Sequence, residues 1–140
     1  GVVNTERVLR DAAPAVRAQK KIEKEFEKRD QEMQRLAKQL QTLQEALEKN
    51  AVTMAESEKR NKEREFNDLN REFQRKQREF REDLNQRRNE ELASVLERAN
   101  KAIKAIAEAE KFDVILQEAA YVAPRVDITD RVIKAMADGK

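Results

Sequence analysis

Apolar residues in the first half of the chain fall at Ile22, Phe26, Met33, Leu36, Leu40, Leu43, Leu47 and Met54, with Arg29 and Asn50 in the gaps. The spacing alternates four and three, which is a heptad stripe. Phe26, Met33, Leu40, Leu47 and Met54 share one core position, and Ile22, Leu36 and Leu43 share the other. Almost every other position is Lys, Arg, Glu, Gln or Asp, so an isolated helix of this kind has one narrow apolar seam and needs a partner. A second stripe runs through Phe66, Leu69, Phe73, Phe80, Leu84, Leu92, Val95, Leu96, Ala99, Ile103 and Ile106. Between Phe73 and Arg88 its intervals drift towards an eleven-residue period, which favours a straighter seam than a tight left-handed coil.

The pattern predicts an antiparallel helical hairpin over residues 15–110, with the reversal near 50–57. Thr53-Met54-Ala55-Glu56 offers a capping box for the returning helix. No Gly or Pro marks the turn, so one unbroken helix of roughly 95 residues is the alternative. Pro14 suits the first turn of the long helix, where its missing N–H is not needed. At about 1.5 Å per residue, arms of roughly 40 residues would reach on the order of 60 Å.

The ends of the chain differ in period. Val2-Val3 is a short β-branched stretch, and Asn4-Thr5 offers cap residues for a turn or two of helix ending near Ala13. Phe112–Leu116 and Tyr121–Ala123 are strand-like runs, with Pro124 closing the second. Asp127 is the expected N-cap of a final helix whose buried side carries Val132, Ile133 and Met136. The expected fold is therefore mainly α with a small β part, in which residues 1–14 and 111–140 form a small α/β head and the hairpin projects from it. A head of about 40 residues is near the lower limit for a self-supporting core, which makes oligomerisation the expected support.

Composition narrows the function classes. Of 140 residues, 41% are charged and 39% hydrophobic, and there are two glycines and two prolines, a profile of long helices. Lys and Arg number 30 against 28 for Asp and Glu, so the net charge is only +2 and gives little basic field for nucleic acid. There is no Cys and no His, which removes thiol chemistry, thiolate and imidazole metal sites and the commonest general base. No G-x-x-x-x-G-K-[ST] loop is present. The reading is a non-enzyme with no cofactor, no metal and no nucleic-acid partner. No apolar run approaches the roughly 18 residues of a membrane span.

Three segments resemble the Skp, or OmpH-like, family of periplasmic chaperones: Val2-Val3-Asn4, the run Arg87-Arg88-Asn89-Glu90-Glu91, and the ending from Phe112-Asp113-Val114-Ile115-Leu116 through Tyr121 to Asp127-Ile128-Thr129-Asp130. The similarity covers essentially the whole chain in order and spacing. It implies a homotrimer whose heads join in a small β-barrel body. Three tentacle hairpins then enclose a cavity that holds unfolded outer-membrane proteins without ATP. Val2, Val3, Phe112, Val114, Leu116, Tyr121, Ile128 and Ile133 are the candidates for the head core and trimer contacts.

The resemblance also implies lipopolysaccharide or membrane-surface binding through a basic cluster, for which Arg87 and Arg88 match in position. It further implies a periplasmic location; the chain starts at Gly1 with neither Met nor an apolar leader, so a signal peptide would have been removed or lie outside this sequence. Candidate residues for the client cavity are Met33, Met54, Phe66, Phe73 and Phe80, although packing inside the hairpin and gap-filling by methionine account for the same pattern. Arg87 and Arg88 beside Glu90 and Glu91 equally suit a solvated ion-pair face. The alternative function is a structural coiled-coil adaptor that binds one specific folded partner.

Overall fold

The computed structural model describes residues 1–138. It contains four helices, α1 (Thr5–Asp11), α2 (Ala13–Lys49), α3 (Glu56–Glu110) and α4 (Thr129–Asp138). Gly139 and Lys140, which the sequence assigned to the head, lie outside the described residues. The chain divides into two compact units, one comprising residues 1–23 and 86–138 and the other Lys24–Asn85.

In the first unit the two ends of the chain meet. The Asn4 side chain caps α1 by accepting the Arg7 N–H. Ala12 alone is extended between α1 and α2, and Pro14 is buried in the first turn of α2, where the absent donor costs nothing. The core contains Val3, Val8 and Ala12 from the beginning of the chain, Val95 and Ala99 from α3, and Ile128, Val132 and Met136 from the end. Leu9, Ile103, Ile106, Phe112, Ile115 and Ile133 pack around it. Ile133 is thus a flank of the core, while Val132 and Met136 form the fully buried side of α4 as its 3.6-residue period requires.

The two expected strands do not form within the single chain. Val2 makes isolated parallel bridges to Leu116 on one side and Asp127 on the other. Val3 N–H donates to Leu116 C=O at 2.9 Å, Leu116 N–H to Gly1 C=O at 2.9 Å, and Ile128 N–H to Val2 C=O at 2.9 Å. Phe112–Leu116 is therefore held at Leu116 and at Val114, whose C=O accepts the Gly1 ammonium at 2.9 Å, without forming a ladder. Tyr121–Ala123 joins no ladder, because the Ala123 carbonyl accepts Val126 N–H in a turn at 3.0 Å, just beyond Pro124. β-Branched and aromatic residues signalled a pleated surface, but a ladder needs a neighbouring strand, and Val2 supplies only one residue on each side.

The second unit holds the reversal at residues 50–55. Asn50 C=O accepts N–H bonds from Thr53 at 3.1 Å and Met54 at 2.9 Å, and the Thr53 hydroxyl at 3.3 Å. Thr53 therefore closes the end of α2 rather than capping α3, contrary to the capping-box expectation. Ala55 C=O accepts Lys59 N–H as the first bond of the returning helix. The unbroken-helix alternative is excluded.

Helix α3 ends on a left-handed residue. Lys111 has φ 58°, and Phe112 N–H reaches back to Ala107 C=O at 2.9 Å, the six-to-one bond of a Schellman ending. A lysine pays a steric cost there that glycine avoids. Lys111→Gly is expected to stabilise the protein by about 1 kcal/mol, read as a higher urea midpoint with an unchanged slope.

Candidate functional site

Two built regions concern function, one in each unit. In the first, a polar joint ties the start of the chain to α4. Thr129 is buried, and its hydroxyl accepts Asn4 N–H at 3.0 Å while donating to Asp127 Oδ1 at 2.6 Å. Thr129 N–H donates to the same carboxylate oxygen at 3.0 Å. Asp127 stands one residue before the true cap position, Ile128, whose carbonyl takes the first helical bond from Val132. The hydroxyl and amide of Thr129 hold the Asp127 carboxyl below the usual carboxylate range. Arg7 of α1 pairs with Asp130 in the first turn of α4, and Arg131 pairs with Glu110.

Around this joint the expected head residues separate into two groups. Val3 and Ile128 are fully buried, and Phe112 and Ile133 pack against them. Val2 is half-buried between its two bridge partners. Val114 (59% exposed), Leu116 (52%) and Tyr121 (82%) point away from this chain's own core. Among the described residues, the backbone groups of 117–122 make no hydrogen bond to other backbone.

In the second unit, α2 and α3 run antiparallel. Ile22, Phe26, Leu36 and Leu40 are the buried residues of the α2 stripe, the last three lying in this unit. Phe80 meets Phe26 edge to face with ring centroids 5.5 Å apart. The Arg29 guanidinium lies over both rings, 5.3 Å from the Phe26 centroid and 5.7 Å from that of Phe80, and reaches Asp83 at 2.9 Å. One turn on, Lys76 pairs with Glu32 and, at 3.4 Å, with Glu72. The hydrogen bond from Lys76 holds the Glu32 carboxyl below its ordinary range, and the same bond raises the Lys76 ammonium. These groups are largely solvated, so the ion pairs set register more than stability.

Among the residues expected at a client cavity, Phe80 is engaged with Phe26 and Arg29 inside the hairpin. Phe66 and Phe73 are half-buried, as is Met54 in the reversal. Met33 is half-buried beside a small cavity of ≈ 130 Å³ that Arg29, Glu32, Lys76 and Glu79 also line. In the first unit, Arg87 is held by Glu90 at 2.8 Å and Glu91 at 3.0 Å, and Glu91 also faces Lys21 at 3.7 Å. Arg88 is exposed. Sequence reasoning missed Arg29, which it treated as a gap; an arginine three residues after an aromatic in a core stripe was the available signal. It also missed Thr129, where a hydroxyl directly follows the buried Ile128.

Among the described residues no cluster of acidic side chains could hold a metal ion, and no helix is long and apolar enough to cross a membrane. The geometry defines a mainly helical protein with a polar-seamed antiparallel hairpin and interlocked chain ends. The family model of the OmpH-like outer membrane proteins matches residues 1–136, and the chain belongs to that family. A solved structure of a candidate outer membrane chaperone (OmpH-like) from Caulobacter crescentus has the same fold, with a TM-score of 0.81 at 18% identity, covering 98% of this chain and 82% of the other. No curated protein matches the chain.

Because the Asp127 carboxyl is depressed in the folded state, its stabilisation is present above its unfolded value near 4 and is lost as pH falls through the lower folded value. Thermal melts should show Asp127→Asn less stable than the parent at neutral pH, with the gap narrowing below about pH 4. In the seam, Phe80→Ala should cost roughly 2 kcal/mol in urea unfolding and Arg29→Ala about 1 kcal/mol. The double variant should cost less than the sum, since the second change removes a contact already lost.

Proposed function

We propose that the protein is an ATP-independent holdase chaperone of the periplasm, working as a homotrimer that shelters unfolded outer-membrane proteins between its helical arms. Family membership supports a role with outer-membrane proteins, and the structural relative from Caulobacter crescentus carries the description of an outer membrane chaperone. The observation that carries the reading is in the head. The core of the single chain closes without Val114, Leu116 and Tyr121, which stay exposed beside a stretch of backbone with open hydrogen-bonding groups. Exposed apolar side chains flanking backbone that lacks a strand partner are the surface from which neighbouring copies would build a shared sheet. In this reading residues 1–14 and 111–140 form the trimer body, and residues 15–110 form the arm.

The arms hold a client through many weak contacts. Half-buried Phe66 and Phe73, with Met33 and Met54, offer small apolar surfaces, and the surrounding charges keep arms from collapsing onto each other. Several feeble contacts inside one enclosure sum to useful avidity while the client stays mobile. No nucleotide is consumed, because release needs only that each contact be weak. Phe80 is left out of the client surface, since its ring is used within the hairpin. Lipopolysaccharide binding is likewise left out, because Arg87 is held by two carboxylates.

The test is to dilute an unfolded β-barrel protein from denaturant into buffer with this protein and no ATP, following light scattering. Suppression of scattering at a few-fold molar excess is expected. Scattering equal to the chaperone-free control, while a known holdase suppresses it, would remove the proposal. A stoichiometric complex with one folded protein and none with unfolded clients would favour the adaptor alternative.

A further inference from the structure

Beyond the polar layer at Arg29 and Lys76, the seam of the second unit opens into a groove of ≈ 680 Å³ between α2 and α3. Its apolar lining comes from half-buried Leu43 of α2 and Leu69 of α3. Arg35 and Lys38 form a basic wall on α2, and Glu65 and Asp68 form an acidic wall on α3, all four exposed. Among the described residues no ion pair crosses from one wall to the other, although the charges are opposite. Elsewhere in the same unit, at Arg29 with Asp83 and Lys76 with Glu32, opposite charges on the two helices do meet. The groove therefore presents two exposed walls of opposite sign around an apolar floor.

We infer that this groove is a binding site within each arm for an extended, unfolded polypeptide segment whose side chains alternate apolar and charged. The inference rests on the holdase reading and deepens it by naming the pattern that the arm selects. From residue 35 to residue 43, α2 advances about 12 Å. Extended chain covers the same distance in about four residues at ~3.3 Å each, with alternate side chains on opposite faces. Its apolar residues then sit on Leu43 and Leu69. The intervening lysines and glutamates lean outward, lysine to the Glu65–Asp68 wall and glutamate to the Arg35–Lys38 wall. Strands of membrane β-barrels have this two-residue alternation.

The experiment uses the full chain and two fluorescent peptides of about eight residues with identical composition. One alternates Val or Tyr with Lys and Glu, and the other has the apolar residues in one block. Anisotropy titrations should show the alternating peptide binding at least about fivefold more tightly, with the preference falling as salt is added. Reversal of either wall, by R35E with K38E or by E65K with D68K, should each remove most of that preference. All four positions are exposed, and circular dichroism checks that the variants keep their helix content. Equal binding of the two peptides, or a preference untouched by both reversals, overturns the inference. The light-scattering assay with the parent protein separates the two ideas. Suppression without peptide discrimination sinks the groove and keeps the holdase, whereas discrimination without suppression sinks the holdase alone.

Discussion

Everything in the first unit depends on the N-terminal Val2-Val3 segment being held between two stretches from the far end of the chain. Val2 N–H donates to Val126 C=O at 2.7 Å, and Val3 N–H donates to Leu116 C=O at 2.9 Å. These bonds bring three sequence-distant pieces around one small core in which Val3, Val8, Ile128 and Val132 are completely buried. Each such side chain is worth about 1.5–3 kcal/mol when removed from water, so a core this small has little reserve. Thr129 adds a polar bolt that also satisfies the Asn4 amide.

The second unit solves a different problem. Its helices are so heavily charged that only a narrow seam is apolar, and even that seam is interrupted by Arg29. The interruption is accommodated because guanidinium stacks on aromatic faces more readily than ammonium does, and because Asp83 completes its charge pairing. Lys76 performs the corresponding task with Glu32 one turn away. Such a polar layer gives up hydrophobic stabilisation and in exchange penalises slipped registers, in which the charges would lack partners.

The long helices and the cap at Asn4 were legible because each rests on local rules: heptad spacing, side-chain capping and the placement of Pro14. The pairing state of the chain ends was not. Phe112–Leu116 and Tyr121–Ala123 have strand composition, but pairing depends on which neighbours are present, and composition carries no information about that. Thr53 was misassigned for a related reason. Its hydroxyl had two helix ends within reach, and the carbonyl of Asn50 took it. Arg29 was hidden because its role needs Phe80 and Asp83, which lie more than fifty residues away. The head candidates Val114, Leu116 and Tyr121 were recognisable as apolar, yet only the structure separates them from Val3 and Ile128 by exposure.

In the proposed holdase the helical arms come from the sequence pattern and the enclosure would come from association. The exposed side chains of Val114, Leu116 and Tyr121, which lie beside or within the backbone of 117–122, are the feature on which the proposed assembly rests. Sedimentation equilibrium over a range of concentrations tests this most directly. A species of three times the 16.3 kDa chain is expected. A folded, strictly monomeric protein at high concentration would contradict it.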